Sequence, residues 1–222
     1  MKHVRQLLLA VFLSLSAIGL ARASQSIPPE LEIYRLNICA LPCWIGITPG
    51  KTTIGEAKTL LKLAYPIEEF EHYSFYSSYR GADLHQVTRP RDALTLSVSF
   101  NETQPPEKQT NTTIVEQITI LTNTPIASIH WFSVLGEPKA QSVTWGNHVV
   151  YPNLLYFRER LRLTLSRVFD HDRFRPDERT KQITKLDFYA ESPIFIANPI
   201  YNMPWQGWHV AGDQLLVLME PG

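Results

Sequence analysis

Neither sign of charge dominates this sequence: 21 Lys and Arg stand against 21 Asp and Glu in 222 residues. Setting aside Lys2, Arg5 and Arg22 in the first 23 residues leaves 18 basic and 21 acidic side chains, a formal charge of −3. A surface that neutralises a polyanion needs clustered Lys and Arg interleaved with aromatics, and no such cluster is present, so no nucleic-acid partner is expected. Cysteine is scarce, with two in the chain. Beyond residue 23 no apolar run approaches the roughly 20 residues a membrane-spanning helix requires. Catalytic signatures are missing too: there is no Gly-x-Ser-x-Gly, His-Glu-x-x-His or Ser-x-x-Lys. His72, His85, His130, His148, His171 and His209 share no two- to four-residue spacing, so no metal site and no cofactor are expected. Asp170-His-Asp172 with Asp177-Glu178 lacks the regular spacing and central glycine of a calcium loop, and its interleaved arginines read as a solvated hairpin tip.

The first residues do carry a pattern. Lys2 and Arg5 precede the apolar run from Leu7 to Leu20, and Ala21-Arg22-Ala23 closes it with the spacing a signal peptidase cuts. The expectation is an export signal over 1–23, cleaved near Ala23-Ser24, and a mature chain that is secreted or periplasmic. A retained N-terminal anchor is the alternative. In an oxidising compartment two cysteines pair, so Cys39 and Cys43 are expected to close a small structural loop over Ala-Leu-Pro. Free thiols and redox or metal chemistry are the alternatives. The spacing is not the two-residue spacing of thioredoxin-like sites, however, and no second ligand pair completes a zinc site.

Gly46, Gly50 and Lys51-Thr-Thr53 suggest a phosphate loop at first sight. Three residues separate the glycines where the motif has four, and Pro49 removes a backbone donor. Thr53 and Glu56 instead have the spacing of a capping box. Ile54, Ala57, Leu60, Leu61 and Leu63 then repeat as a helical apolar face before Pro66 stops it. Shifted by 72 residues, the pattern falls on Ile126, Ile129, Phe132, Leu135 and Pro138, with Thr124-Pro125 as the expected helix start. Leu94-Thr-Leu-Ser97 recurs as Leu163-Thr-Leu-Ser166, and Gln117-Ile-Thr119 as Gln182-Ile-Thr184. Each copy reads as a helix followed by strands. These are expected over 73–79, 94–100 and 114–121 in the first copy, and over 142–145, part of 155–169 and 182–189 in the second. The fold class is α+β: two tandem repeats, each a helix or helical pair packed on an antiparallel sheet. The expected divisions are a lead-in with the disulfide over 24–43, repeat 1 over 44–123, and repeat 2 with a C-terminal closing hairpin over 124–222.

The pattern Gly-Ile-x-Pro-Gly-x-Thr-Thr-x-x-Glu-Ala-x-x-Leu-Leu over 46–61 resembles one found in uncharacterised exported bacterial proteins, which often carry the Pro42-Cys-Trp44 seen here. More distantly it is similar to the Gly-Met-Thr-x-x-Glu-Val-x-x-Leu-Leu-Gly-x-Pro signature of the SmpA/OmlA outer-membrane assembly lipoproteins. Thr53, Glu56, Leu60 and Leu61 match its beginning, and Leu135-Gly-Glu-Pro138 its end. That resemblance implies a helical pair packed on an antiparallel sheet, a fold shared with β-lactamase-inhibitory proteins. The lipid-bearing cysteine of those lipoproteins has no counterpart, and no inhibitory loop carries across.

Aromatic residues crowd two places: Tyr73, Phe75, Tyr76 and Tyr79 on one expected strand, and Trp205 and Trp208 near the C-terminus. Strand alternation sends Phe75 and Tyr76 to opposite faces. Aromatic residues on sheets fill cores first, and alternation leaves one set to be exposed; Tyr73, Tyr76, Tyr79, Trp205 and Trp208 are the candidate binding-face aromatics, and no catalytic residue is assigned. Asn101-Glu-Thr and Asn111-Thr-Thr match the glycosylation acceptor pattern on an expected solvated loop over 101–112. The expected function is an exported, non-enzymatic binding or scaffold protein that meets an envelope or extracellular protein through a sheet face. The alternative is a secreted or periplasmic hydrolase whose residues meet only in three dimensions.

Overall fold

Thr53 opens the first helix in the way its side chain favours. Its hydroxyl accepts from the Glu56 amide, the Glu56 carboxylate accepts from the Thr53 amide, and helix α1 follows over Ile54–Ala64. In the computed structural model, residues 27–77, 82–101, 109–146, 149–156, 160–165, 182–190 and 202–204 are described. A short 3-10 turn at Pro29–Tyr34 precedes α1. Strands β1 (Glu71–Ser77), β2 (Ala82–Arg89), β3 (Leu94–Phe100) and β4 (Gln117–Ala127) follow it. Helix α2 (Ser128–Leu135) then leads to β5 (Ala140–Gly146), β6 (Val149–Tyr156), β7 (Leu161–Leu165), β8 (Gln182–Tyr189) and β9 (Asn202–Pro204).

All the strands lie in one sheet, ordered β1-β2-β3-β4-β8-β7-β6-β5-β9, with every pairing antiparallel. Each helix is thus followed by a four-stranded meander, and the last strands of the two meanders, β4 and β8, meet at the centre. Leu94 opens β3 and Leu163 lies in β7, the third strand of each meander; Gln117 and Gln182 open the fourth strands. The result is one continuous antiparallel sheet of α+β type, dominated by strands.

Side chains alternate across the sheet. Register places Phe100 opposite Ile118, Ile118 opposite Phe188, and Phe188 opposite Leu161, so these share one face. Leu96, Val98, Ile120, Leu163 and Leu186 extend it, all fully buried. Ile54, Ala57 and Leu61 of α1 join the same core, as does Trp131 of α2, set edge-on to Tyr34 with ring centroids 4.8 Å apart. Leu63 does not belong to this face: it is 73% exposed. At about 100° per residue it lies some 200° around the helix from Leu61.

Thr124-Pro125 does not start the second helix. After a register shift beyond Leu121, β4 re-engages β8 through Ile126 and Ala127, so the chain stays committed to the sheet until Ser128. Ala127 then caps α2 without a side-chain bond. The 72-residue shift consequently fails at Ile126, which is buried in a strand, and at Ile129, which is 67% exposed. Two strands also differ from expectation. β2 has only Leu84 and Val87 as large apolar residues, at odd spacing on opposite faces, and both are buried. β6 meets the expected 155–169 segment only at its last two residues, Leu155 and Tyr156. The segment 114–116 carries only an isolated bridge from Ile114 to Thr53, so β4 begins at Gln117.

Asn101 is not a solvated loop residue. It is completely buried with φ of 54°, a left-handed conformation that Asn tolerates better than most residues. Its Nδ2 donates to the Ile114 carbonyl at 2.7 Å, and its Oδ1 accepts from the amides of Glu116 and Gln117. The side chain thereby satisfies the backbone that leads into β4, and a buried nitrogen so engaged is no glycan acceptor in the folded protein. Asn111 is exposed. We predict that Asn101→Ala, which removes the side-chain partner of three backbone groups, the buried Gln117 amide among them, lowers the free energy of unfolding in urea by about 3 kcal/mol. A loss under about 1 kcal/mol would show that water replaces the amide.

Candidate functional site

The stretch from Cys39 to Thr53 is a structural lead-in. Cys39 and Cys43 are bonded, their Cα atoms 5.7 Å apart, around a cis Leu41-Pro42 peptide. Trp44 is fully buried beside the bridge, and its indole nitrogen donates to the Tyr34 carbonyl at 2.8 Å. Trp44 and Ile47 exchange backbone hydrogen bonds, closing a tight turn whose Gly46 has φ of 90°. A Cβ at Gly46 would meet the Leu60 side chain at ordinary contact distance, so the positive φ is what calls for glycine there. The Glu56 carboxylate fills the amino end of α1, where a phosphate would otherwise sit, and the Thr53 amide and hydroxyl hold its pKa below the usual carboxylate range.

The candidate aromatics divide. Tyr73 stands on the edge strand β1 and is 57% exposed. Tyr76 belongs to the same strand. The side chains of Phe75 and Tyr76, together with Tyr79, Trp205 and Trp208, lie outside the described residues, as do His148, His171, His209, the acidic segment at 170–178, and residues 1–23. His130 is half-exposed on α2, with Nδ1 4.0 Å from Glu30. Among the described residues no three His, Cys, Asp or Glu side chains gather as metal ligands. No helix among them is long and apolar enough to cross a membrane.

One cluster escaped the sequence pattern. On the sheet face opposite the apolar core, register aligns Thr119 of β4 with Asp187 of β8, and Asp187 with Arg162 of β7. Asp187 is completely buried. Its Oδ1 accepts from Thr119 Oγ1 at 2.7 Å and Gln117 Nε2 at 3.1 Å, with Lys185 Nζ at 3.3 Å. Its Oδ2 accepts from Arg162 Nε and Nη2 at 2.8 and 2.6 Å. Arg162 in turn lies over the Tyr189 ring, and the neighbouring Thr164 hydroxyl donates to Asn153 Oδ1 at 2.8 Å. The individual strands hint at this only through polar residues at alternate positions, Gln117 and Thr119, Lys185 and Asp187, Arg162 and Thr164. Nothing within one strand shows that the three will lie side by side.

Burial alone would push the Asp187 carboxyl up, but the charges of Arg162 and Lys185, with hydrogen bonds from Thr119 and Arg162, outweigh it and hold the pKa below 3.8. A carboxylate that is ionised, saturated with donors and shut from solvent makes a poor general base or nucleophile. The cluster is a clasp across three strands. Outside it, a groove lies between the turn that follows the 3-10 helix, the α1–β1 connection and the β2–β3 turn, lined by Arg35, Phe70, Arg89 and Arg91 among others.

Two predictions follow from these contacts. Because the folded pKa of Asp187 is depressed, its stabilisation is complete above the ordinary value of 3.8 and is lost as pH falls through the folded pKa. Asp187→Asn removes the buried carboxylate that takes both prongs of Arg162 and lowers stability at neutral pH by about 3–5 kcal/mol, while flattening the loss of stability in urea below about pH 4. An unchanged acid limb in the variant would contradict this account. Replacing Cys39 and Cys43 together by Ser removes a short cross-link and costs about 2 kcal/mol, read by thermal melting; two free thiols in the mass spectrum of the purified protein would contradict the bridge.

Comparison of the chain with protein-family models, curated proteins and solved structures finds no match in any of the three.

Proposed function

We propose that this is an exported, non-enzymatic binding or scaffold protein that engages an envelope or extracellular protein through its sheet, with β1 as the contact edge. The observation that carries this reading is Tyr73, 57% exposed on a terminal strand of the sheet. An edge strand offers unpaired N–H and C=O groups to a partner, and proteins ordinarily blunt such edges with Lys, Pro or bulges. β1 reads Glu-His-Tyr-Ser-Phe-Tyr-Ser, with neither Lys nor Pro. At the other end of the sheet, β9 is three residues long and includes Pro204, which leaves little to pair with. Strand addition gives affinity through the main chain and specificity through alternate side chains, and an exposed Tyr at the edge suits that role.

The non-enzymatic part rests on the character of the buried charge. Asp187, the described carboxylate with the most partners, is saturated by donors from β4, β7 and β8. We read residues 44–123 and 124–222 as two copies of one unit. The reading is supported by the recurrence of Leu-Thr-Leu in the third strand and Gln-Ile-Thr in the fourth strand of each meander. Export is supported by the segment over 1–23 and by a disulfide, a bond that persists in oxidising compartments.

The test is affinity capture from an envelope extract with the mature protein and with Tyr73→Lys. A Lys on the edge opposes strand addition, so the variant should keep its circular dichroism and melting temperature yet lose the captured protein by about tenfold or more, the loss of a central aromatic contact. Equal capture by both forms would remove β1 as the contact edge.

A further inference from the structure

Three arginines line the groove between the 3-10 turn and the β2–β3 turn, which has a volume of about 630 Å3. Two are engaged. Arg89 is held in a two-pronged pair by Asp92, Nε to Oδ1 at 3.0 Å and Nη2 to Oδ2 at 2.6 Å, with Glu32 at 4.0 Å. Arg91 lies 4.0 Å from Glu32 across exposed surface.

Arg35 is different. Its guanidinium carbon sits 5.3 Å from the centroid of the Tyr65 ring and 5.8 Å from that of Phe70, and among the described residues no carboxylate lies within ion-pair distance of it. The rings under it are fixed: Tyr65 is fully buried with its hydroxyl donating to the Ile33 carbonyl at 2.7 Å, and Phe70 packs edge-on against it at 5.1 Å. A cation over aromatic faces keeps its N–H edge for an acceptor. The backbone of Arg35 is left-handed, with φ 50° and ψ 40°, as it caps the 3-10 turn, a conformation that costs a non-glycine residue about 1–2 kcal/mol. A half-buried guanidinium, packed against two fixed rings at the wall of a groove, is presented for a planar anion.

The remaining charges narrow the class. Glu32, Glu68 and Glu69 line the same groove. A polyanion would meet these carboxylates, and a simple cation would meet the arginines. A ligand carrying one carboxylate and one ammonium meets both signs favourably, and the volume suits a molecule of one or a few residues. We infer that the groove binds a free amino acid or a short free peptide, its carboxylate docked on Arg35 and its ammonium drawn to the glutamates. This site is separate from the β1 edge, so it stands or falls independently of the reading above.

The experiment follows the Arg side-chain Nε–Hε resonances of the 15N-labelled mature protein by NMR. The probes are phenylalanine, glycyl-phenylalanine, glycyl-phenylalanine amide and N-acetyl-glycyl-phenylalanine. Arg35 should shift saturably with phenylalanine or with the free dipeptide, and the stronger of the two names the source. The C-terminal amide should leave it unmoved, and acetylation should weaken the dipeptide. Arg35→Lys, which keeps the charge and loses the planar fork, should weaken binding about tenfold. Arg35→Leu should abolish it while the backbone spectrum stays dispersed. No saturable shift at about 20 mM of either free ligand, weaker than any specific small-molecule site, overturns the proposal, as does an equal shift from the amide or undiminished binding by Arg35→Leu. Equal binding of the acetylated and free dipeptides overturns the role given to the glutamates.

Discussion

The pairing of β4 with β8 is the contact on which the architecture depends. Every other strand pair among β1 to β8 joins neighbours in sequence within one meander, whereas this one joins the two meanders. It holds the apolar face together through Ile118 with Phe188 and Ile120 with Leu186, and the opposite face through Thr119 with Asp187. Burying Asp187 is costly by itself, since desolvation of one carboxylate outweighs several ordinary hydrogen bonds. It is tolerated because donors from both flanking strands reach it: Gln117 and Thr119 from β4, Arg162 from β7. Leucine at 187 would fill the space but remove the carboxylate that Arg162 and Lys185 share. The clasp therefore also selects register, since a one-residue slip would turn the carboxylate into the apolar core.

The two helices lie over the apolar face, and the lead-in ties down the first of them. Trp44 stacks toward Phe188 with centroids 6.5 Å apart and toward Tyr65 at 6.3 Å. This places the disulfide loop beside the central strands as well as the helix. The backbone of 50–55 is bound to the approach to β4: Gly50 N donates to Val115 O, Val115 N to Thr52 O, and Ile54 N to Thr113 O. The lead-in, α1 and the strand that forms the central seam are one hydrogen-bonded unit, and the capping box sits within it.

Local chemistry was legible where it was self-contained. Thr53 and Glu56 announce a helix start because the capping interaction spans three residues, and 94–100 and 182–189 announce strands because one face of each is apolar. α2 misled because Thr124-Pro125 has cap-like chemistry, while the next two residues, Ile126 and Ala127, pair with Ile183 and Gln182 across the sheet. Propensity yields to a tertiary hydrogen bond in such a case. β2 was silent because its two buried apolar residues, Leu84 and Val87, face opposite ways. Asp187 and Arg35 were invisible for a deeper reason: their meaning comes from partners on other elements, 25 to 70 residues away for Asp187. Asn101 was read from a triplet motif that says nothing about burial.

The strand order has a kinetic consequence. Within each meander, contacts form between segments joined by short or moderate connections, so loop closure costs little. The β4–β8 seam brings together Gln117 and Tyr189, far apart in sequence, and its entropy cost falls due only when both meanders are in place. The seam should therefore close late, yet once closed it lies deepest, with strands stacked outward on both sides. Slow amide exchange would then concentrate in β4 and β8 and decline toward β1 and β9, so that the last contact to form is also the last to open.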